Sequence, residues 1–393
     1  MYPLLSYIAS KRNRLLTALL FITALSLCAC SNAPASFPVP ASSEAEIIEA
    51  PVETAAPPVE IDGVLFSAET PRLVLTGLNV DEAALDAVIP RFDQLVSLDL
   101  RGTSLSHEYA YSVAESHPET EVFWDVSLFG KLLPSDTKEL DLTDVQIDDL
   151  AEVENALKYY PCLEKVIIPD IGFSNEELDA LNKRYDDIRF VWTVHFSVYT
   201  LRTDATVFCA SNVPRLGYTA PKLTSSELDP IKYCTDLEAL DLGHMNYTDL
   251  EFLRGMTKMK YLILVQGKFS DISVIANMPD LYYLELFNNN RIIDLSPLVS
   301  CKNLKHLNIG YCLFAEWESL KEMPWLERLW MPHVQISSQG LDELREALPD
   351  TFVYAPFNDV RGSTGGGWRT DQSYYDMRDL MEMPYYPGGT GMG

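Results

Sequence analysis

The sequence predicts an α/β solenoid, with a parallel β-sheet on one face and short helices or 3-10 turns behind it. Three observations carry this reading. Leucine-like residues recur every 22 or 23 positions through most of the C-terminal half. An acidic residue recurs in the same phase. A longer version of the pattern, at 25 or 26 positions, runs through the N-terminal half. With 393 residues, 47% of them hydrophobic, the chain can build a large core.

The repeated unit is an apolar residue, two variable ones, Leu, one variable, then Leu or a close relative. It reads Leu237-Glu-Ala-Leu240-Asp-Leu242, then Met259-Lys-Tyr-Leu262-Ile-Leu264 and Leu281-Tyr-Tyr-Leu284-Glu-Leu286. Leu304-Lys-His-Leu307-Asn-Ile309 and Leu326-Glu-Arg-Leu329-Trp-Met331 follow, and a weak copy begins at Thr351. One such unit cannot bury its leucines alone, whereas stacked units share a continuous core. The period lies in the leucine-rich-repeat range, so the expected form is a horseshoe with a concave parallel sheet. Asp249, Asp271, Asp294 and Glu316 each precede an apolar residue by four positions. An acid there caps the amides that open a helical turn, a better account than a calcium ladder.

In the N-terminal half, Thr70-Pro-Arg-Leu73-Val-Leu75, Leu95-Val-Ser-Leu98-Asp-Leu100 and Thr120-Glu-Val-Phe123-Trp form one triplet. Thr137-Lys-Glu-Leu140-Asp-Leu142, Leu163-Glu-Lys-Val166-Ile-Ile168 and Ile188-Arg-Phe-Val191-Trp form a second. Units this long have room for a true helix on the convex side. Each triplet ends at a period break: Ser127–Asp136 carries Gly and Pro, and His195–Ala210 alternates like a hairpin or edge strand.

The organisation expected is therefore six segments. Residues 1–29 are a signal peptide, and residues 30–60 a lipidated cysteine with a disordered Pro/Ala/Ser/Glu linker. Residues 61–194 hold the longer repeats and 195–232 a hairpin-like joint. Residues 233–356 hold the regular repeats, and 357–393 a Gly- and aromatic-rich tail whose first reading is a cap over the last unit. The signal reading rests on Lys11, Arg12 and Arg14 ahead of the apolar run Leu15–Leu27, which is short for a membrane span.

Two resemblances add to this. Leu27-Cys28-Ala29-Cys30 resembles the bacterial lipobox, which implies cleavage before Cys30, a lipid on its thiol, and an extracytoplasmic protein anchored to the cell membrane. The C-terminal repeats resemble the internalin-like unit Leu-x-x-Leu-x-Leu-x-x-Asn-x-Ile-x-Asp-Ile-x-Pro-Leu, matched best at Asn289, Asp294, Leu295, Pro297 and Leu298. The asparagine position departs from it, holding Met245, Gly267, Asn289, Cys312 and Val334, so a less regular solenoid is expected. Together these suggest a bacterial extracytoplasmic leucine-rich-repeat lipoprotein.

Composition excludes some functions. Removing residues 1–29 takes away three bases and no acid, leaving 27 basic against 57 acidic residues, a net charge of −30. Such a chain repels phosphate backbones, so nucleic acid is not an expected partner. No catalytic motif stands out. The histidines form no His-x-x-x-His pair, there is no Gly-x-Ser-x-Gly elbow, and Gly362-Ser-Thr-Gly-Gly-Gly367 lacks the ending of a phosphate loop. No enzyme activity, metal or cofactor is expected. Cys162, Cys209, Cys234, Cys301 and Cys312 are an odd set after Cys30, read as packing thiols.

In this template the leucines point inward and the variable residues outward, which defines the candidate ligand-binding residues. The third column holds Ala239, Tyr261, Tyr283, His306 and Arg328. The fifth holds Asp241, Ile263, Glu285, Asn308 and Trp330. Just past the strands come His244, Gln266, Asn288, Tyr311 and His333, with Phe287 beside them. Tyr261, Tyr283, Glu285, Phe287, His306, Asn308, Tyr311, Arg328 and Trp330 form a patch rich in the residue types of binding hot spots. The expected function is capture of a protein or glycan at the cell envelope on this concave face. A self-assembling envelope scaffold, and more remotely an enzyme with a site in 195–232, are the alternatives.

Overall fold

The computed structural model describes residues 56–170, 172–210, 221–313, 316–356 and 368–382. The signal-like segment, Cys30, most of the linker and the glycine-rich stretch of the tail lie outside them. The chain divides into two compact units, Met1–Lys165 and Val166–Gly393.

In the first unit, a hairpin pairs Val59–Ile61 with Val64–Phe66. A parallel sheet follows, made of Arg72–Val74, Ser97–Asp99 and Glu121–Phe123, with Leu73, Leu98 and Val122 in register. All three are buried. The longer units do carry helices behind the strands. Asp81 caps Glu82–Val88 and Ser106 caps His107–Ser116, each side chain accepting a backbone N–H. The first period break is a second hairpin, Asp125–Leu128 against Lys131–Pro134.

In the second unit, the helix Asn175–Asn182 opens with a reciprocal capping box between Ser174 and Glu177. A hairpin pairs Thr193–Phe196 with Tyr199–Arg202. A seven-stranded parallel sheet follows. Its strands are Val207–Cys209, Ala239–Asp241, Tyr261–Ile263, Tyr283–Glu285, His306–Asn308, Arg328–Trp330 and Phe352–Tyr354. The sheet thus begins within the segment expected to be a joint: the hairpin ends at Arg202, and Val207–Cys209 already pairs with Ala239–Asp241.

Register across this sheet follows the sequence template. Leu240, Leu262, Leu284, Leu307 and Leu329 lie side by side, and each is 0% exposed. Repeat length sets the element behind each strand. The short units allow only 3-10 turns, at Glu251–Leu253, Ser273–Asn277, Ser296–Ser300 and Glu318–Glu322. The longer last unit accommodates the α-helix Ser338–Ala347. Asp249, Asp271 and Asp294 open their turns by accepting the N–H two residues on, at 3.3, 2.7 and 2.8 Å. At the fourth turn Glu318 takes the N–H of Trp317 at 3.1 Å.

The asparagine column is filled differently from unit to unit while the strand register is kept. Asn289 donates to the carbonyls of Leu264 and Leu286, both at 2.9 Å. At the next unit the Cys312 thiol reaches the Leu286 carbonyl at 3.1 Å, one repeat on from the Asn289–Leu264 bond. At Gly267 there is no room for a side chain: a Cβ would lie 2.3 Å from the Phe269 ring, which fills that space.

A backbone feature recurs once per unit. His244, Gln266, Asn288, Tyr311 and His333 all adopt φ between 58° and 65°. Left-handed backbone costs an ordinary residue about 1–2 kcal/mol. Here each such residue donates its N–H to the next unit, to the carbonyls of Val265, Phe287, Gly310, Pro332 and Pro356, at 2.6–3.1 Å. These bonds extend the strand ladder past its last residue and hold the conformation.

Candidate functional site: the sheet face and the tail helix

The open face of the seven-stranded sheet is the surface the sequence marks for binding. Its columns form two groups. Tyr261, Tyr283, Glu285, His306, Arg328 and Trp330 belong to a central seat. Phe287 and Tyr311 belong to a rim along the left-handed positions. There the rings of Phe287 and Tyr311 lie 5.2 Å apart, and those of Tyr311 and His333 lie 4.1 Å apart. Asn308 serves its own turn: its side-chain oxygen accepts the N–H of Gly310 at 3.1 Å, and the residue is buried. Asp241 makes the same bond to Gly243 at 2.8 Å.

The seat is not an open platform. Tyr283 is 0% exposed, Trp330 2%, His306 5% and Arg328 7%. What covers it is the tail. Trp368 and the helix Gln372–Leu380 lie on the sheet, and Trp368, Met377 and Met381 share one buried cluster with Ala239, Ile263, Tyr283 and Trp330. Tyr261, Tyr282 and Tyr354 pack against that cluster. The tail therefore crosses the sheet face, where the sequence suggested a cap over the last unit. The reason lies in Trp368, whose indole finds its polar and apolar partners in the middle strands.

Those partners are specific. The Trp368 ring sits 5.3 Å from Tyr283 and 6.2 Å from Trp330, centroid to centroid, and Trp330 stacks on Tyr354 at 3.9 Å. The Arg328 guanidinium lies 4.5 Å over the Trp368 ring. The Trp368 indole N–H donates to Glu285 at 3.0 Å, and Tyr283 donates to the same carboxylate oxygen at 2.5 Å. Arg328 donates to the Trp368 carbonyl at 3.2 Å and the Ser373 hydroxyl at 3.1 Å, and pairs with Asp371 at 2.9 Å. Asp371 is also the helix N-cap, accepting the N–H of Ser373 at 3.0 Å. One arginine thus holds the indole face and the start of the helix together.

Electrostatics follow the geometry. Burial pushes the Glu285 carboxyl above its ordinary value, against the pull of the hydrogen bonds from Trp368 and Tyr283. Burial also works to raise Asp371, but hydrogen bonds from Ser373 and the charge of Arg328 outweigh it and hold the carboxyl low. Burial, then the nearby Arg328, lowers His306, whose Nε2 lies 3.0 Å from the Tyr282 hydroxyl. None of these groups is arranged as nucleophile and base. The geometry suits recognition: two aromatics tilted against the indole, one buried cation and an acceptor for an indole N–H.

Sequence columns located the seat residues but missed their occupants, Trp368, Asp371, Ser373, Met377 and Met381. A signal was present. Asp371 followed by a helix-forming run, with Met377 and Met381 four apart, marks an amphipathic turn next to a tryptophan.

No protein-family model matches the chain, and no curated protein matches it. Solved structures give distant likenesses. An internalin C2 of Listeria monocytogenes is 22% identical over 40% of this chain and 75% of its own, with a TM-score of 0.30. An internalin F of the same organism is 16% identical over 76% and 86%, with a TM-score of 0.31. A leucine-rich-repeat protein of Leptospira interrogans is 15% identical over 68% and 74%, with a TM-score of 0.30. Nothing about partners follows from likenesses at this level. The buried leucine column, the parallel strand register and the one-turn backs are themselves the marks of a leucine-rich-repeat fold.

Proposed function

We propose that the chain is a lipid-anchored, extracytoplasmic binding protein that recognises a protein partner through the face of its C-terminal sheet on which the tail helix lies. The observation that supports this most is the seat itself. Tyr283, Glu285, Arg328 and Trp330 bury an indole and the start of a helix with matched polar and apolar groups. Such a surface suits a folded peptide segment better than a sugar, which asks for open aromatic platforms ringed by unpaired hydrogen-bonding groups. Tyr, Trp and Arg at the centre of the contact are the residue types that dominate protein interfaces. The anchor half of the proposal rests on the lipobox-like Leu27-Cys28-Ala29-Cys30 and the linker after it.

Both halves are open to test in cells. A photo-crosslinking side chain at Gln266, exposed on the rim, should join the full chain to an envelope protein. The same probe at Asn277, exposed on the opposite side, should not. Equal crosslinking from both positions, or products made only of this chain, would count against partner capture; the latter would favour a self-assembling scaffold. A radioactive fatty acid should label the wild-type chain and not Cys30→Ser.

A further inference from the structure

We infer that residues 368–382 are an exchangeable stand-in for the partner, so that the partner presents the same chemistry. It would carry an indole, an acidic helix N-cap three residues later, a small hydroxyl five residues after the indole, and apolar side chains nine and thirteen residues after it. This rests on the binding role proposed above, and it names the ligand class.

The placement of the tail is the first reason. A cap on a stack of repeats shields the exposed end, and here the end strand keeps Phe352 57% exposed. The tail lies instead in a cluster with Ala239, Ile263, Tyr283 and Trp330, members of the second, third, fourth and sixth strands of the sheet. Its buried anchors centre on the face, and the end strand joins the cluster only through Tyr354.

The kind of contact is the second reason. The attachment is concentrated in a few groups: Trp368, Asp371 and Ser373 on Arg328 and Glu285, with Met377 and Met381 buried beside them. On the outer side Tyr375 and Leu380 are 37% and 40% exposed. A few central anchors with an open outer surface describe a peptide ligand docked in a groove.

Helix length is the third reason. Gln372–Leu380 has 9 residues, too few to be helical alone in water. Its order must come from docking, and the ordering cost subtracts from its hold on the seat. The helix belongs to the same chain as the seat, so tethering raises its effective concentration there. A partner helix of matching chemistry then competes with a tethered, self-limiting occupant.

The test uses the full-length chain and a fluorescent synthetic peptide with the sequence of residues 366–384, followed by anisotropy. Trp368→Ala should loosen the tethered tail, so the peptide should half-saturate that variant at a concentration about 30-fold or more below that needed for wild type. Adding Arg328→Ala should abolish the gain, as should replacing the peptide's own tryptophan by alanine. Equal affinity for wild type and Trp368→Ala would overturn the inference, provided amide exchange shows the variant's tail released. So would a wild-type protein that swaps its tail into a second copy and accepts no peptide. The crosslinking at Gln266 separates the two claims. A crosslinked partner without peptide exchange sinks the stand-in alone, and exchange without any crosslinked partner sinks the binding role.

Discussion

Replacing Trp368 by alanine should release the tail helix and leave the repeats intact. A tryptophan side chain buries roughly 150–250 Å², worth up to about 4–6 kcal/mol at about 25 cal/mol per Å². Trp368 is 5% exposed, so nearly all of that is engaged. Its N–H bond to Glu285 and its place under Arg328 are lost as well. Relaxation of the seat returns part of the cost, and about 3 kcal/mol is a conservative net, a shift of roughly 100-fold in the docking equilibrium. Hydrogen exchange read by mass spectrometry resolves this by segment. Amides of Gln372–Leu380 should be protected in the wild type, since a helix this short owes its order to docking. In Trp368→Ala they should exchange roughly 100-fold faster, while strands such as Tyr283–Glu285 and His306–Asn308 keep their protection. Unchanged protection of the helix would refute the assignment of Trp368 as its anchor. Loss of protection throughout the sheet would refute the separation of tail from solenoid and make the tail a stabilising cap.

Docking should also depend on pH in two opposed limbs. Glu285 has its docked pKa raised above the ordinary 4.5, so its contribution is complete below that value and is lost as pH rises through the docked pKa. Asp371 is lowered from 3.8, so its contribution is present above that value and is lost as pH falls through the docked pKa. Peptide affinity for Trp368→Ala should therefore fall below pH 3.8. Between neutrality and pH 4.5 the gain from Glu285 is opposed by His306, whose lowered pKa gives a contribution present above 6.5 and lost as pH falls. The upper limb is therefore read as the difference between the Glu285 seat and its Glu285→Gln variant. Glu285→Gln should alter only the upper limb, and an unchanged upper limb would contradict the role of its burial. Burial pushes the Cys234 and Cys312 thiols up to about 12 and Cys301 to about 11, so in native buffer iodoacetamide should modify exposed Cys162 and spare these three. Modification of any of the three at the rate of Cys162 would show that the core opens. Gly267→Ala should destabilise the second unit by about 1–3 kcal/mol in a denaturant titration, because its Cβ would overlap Phe269. A neutral result would mean that the ring has room to move.

The repeats were legible because burial is periodic along the chain. Leu240, Leu262, Leu284, Leu307 and Leu329 each do the same job, and their spacing gives the strand, its neighbours and its register at once. The outward columns were legible for the same reason, which is why Tyr283, Arg328 and Trp330 could be named as neighbours. Their occupant has no period. Trp368 meets Glu285 across 83 positions and Arg328 across 40, and each contact occurs once. Nothing local in Trp368-Arg-Thr-Asp371 says which surface it will find. The asparagine column misled for a related reason. Its task, bonding a carbonyl of a neighbouring strand, passed to the Cys312 thiol in one unit, and in another the space was filled by Phe269.

The left-handed residues past each strand have a consequence for how this surface can vary. Turns with positive φ are commonly given to glycine, which surrenders the side chain. Here the N–H of each residue is fastened to the following unit, so His244, Gln266, Asn288, Tyr311 and His333 share one backbone shape while carrying four different kinds of side chain. The rim is thus a line of interchangeable letters on a fixed rail. Its chemistry can be rewritten unit by unit without bending the scaffold, and selection acting on recognition would find its freedom there first.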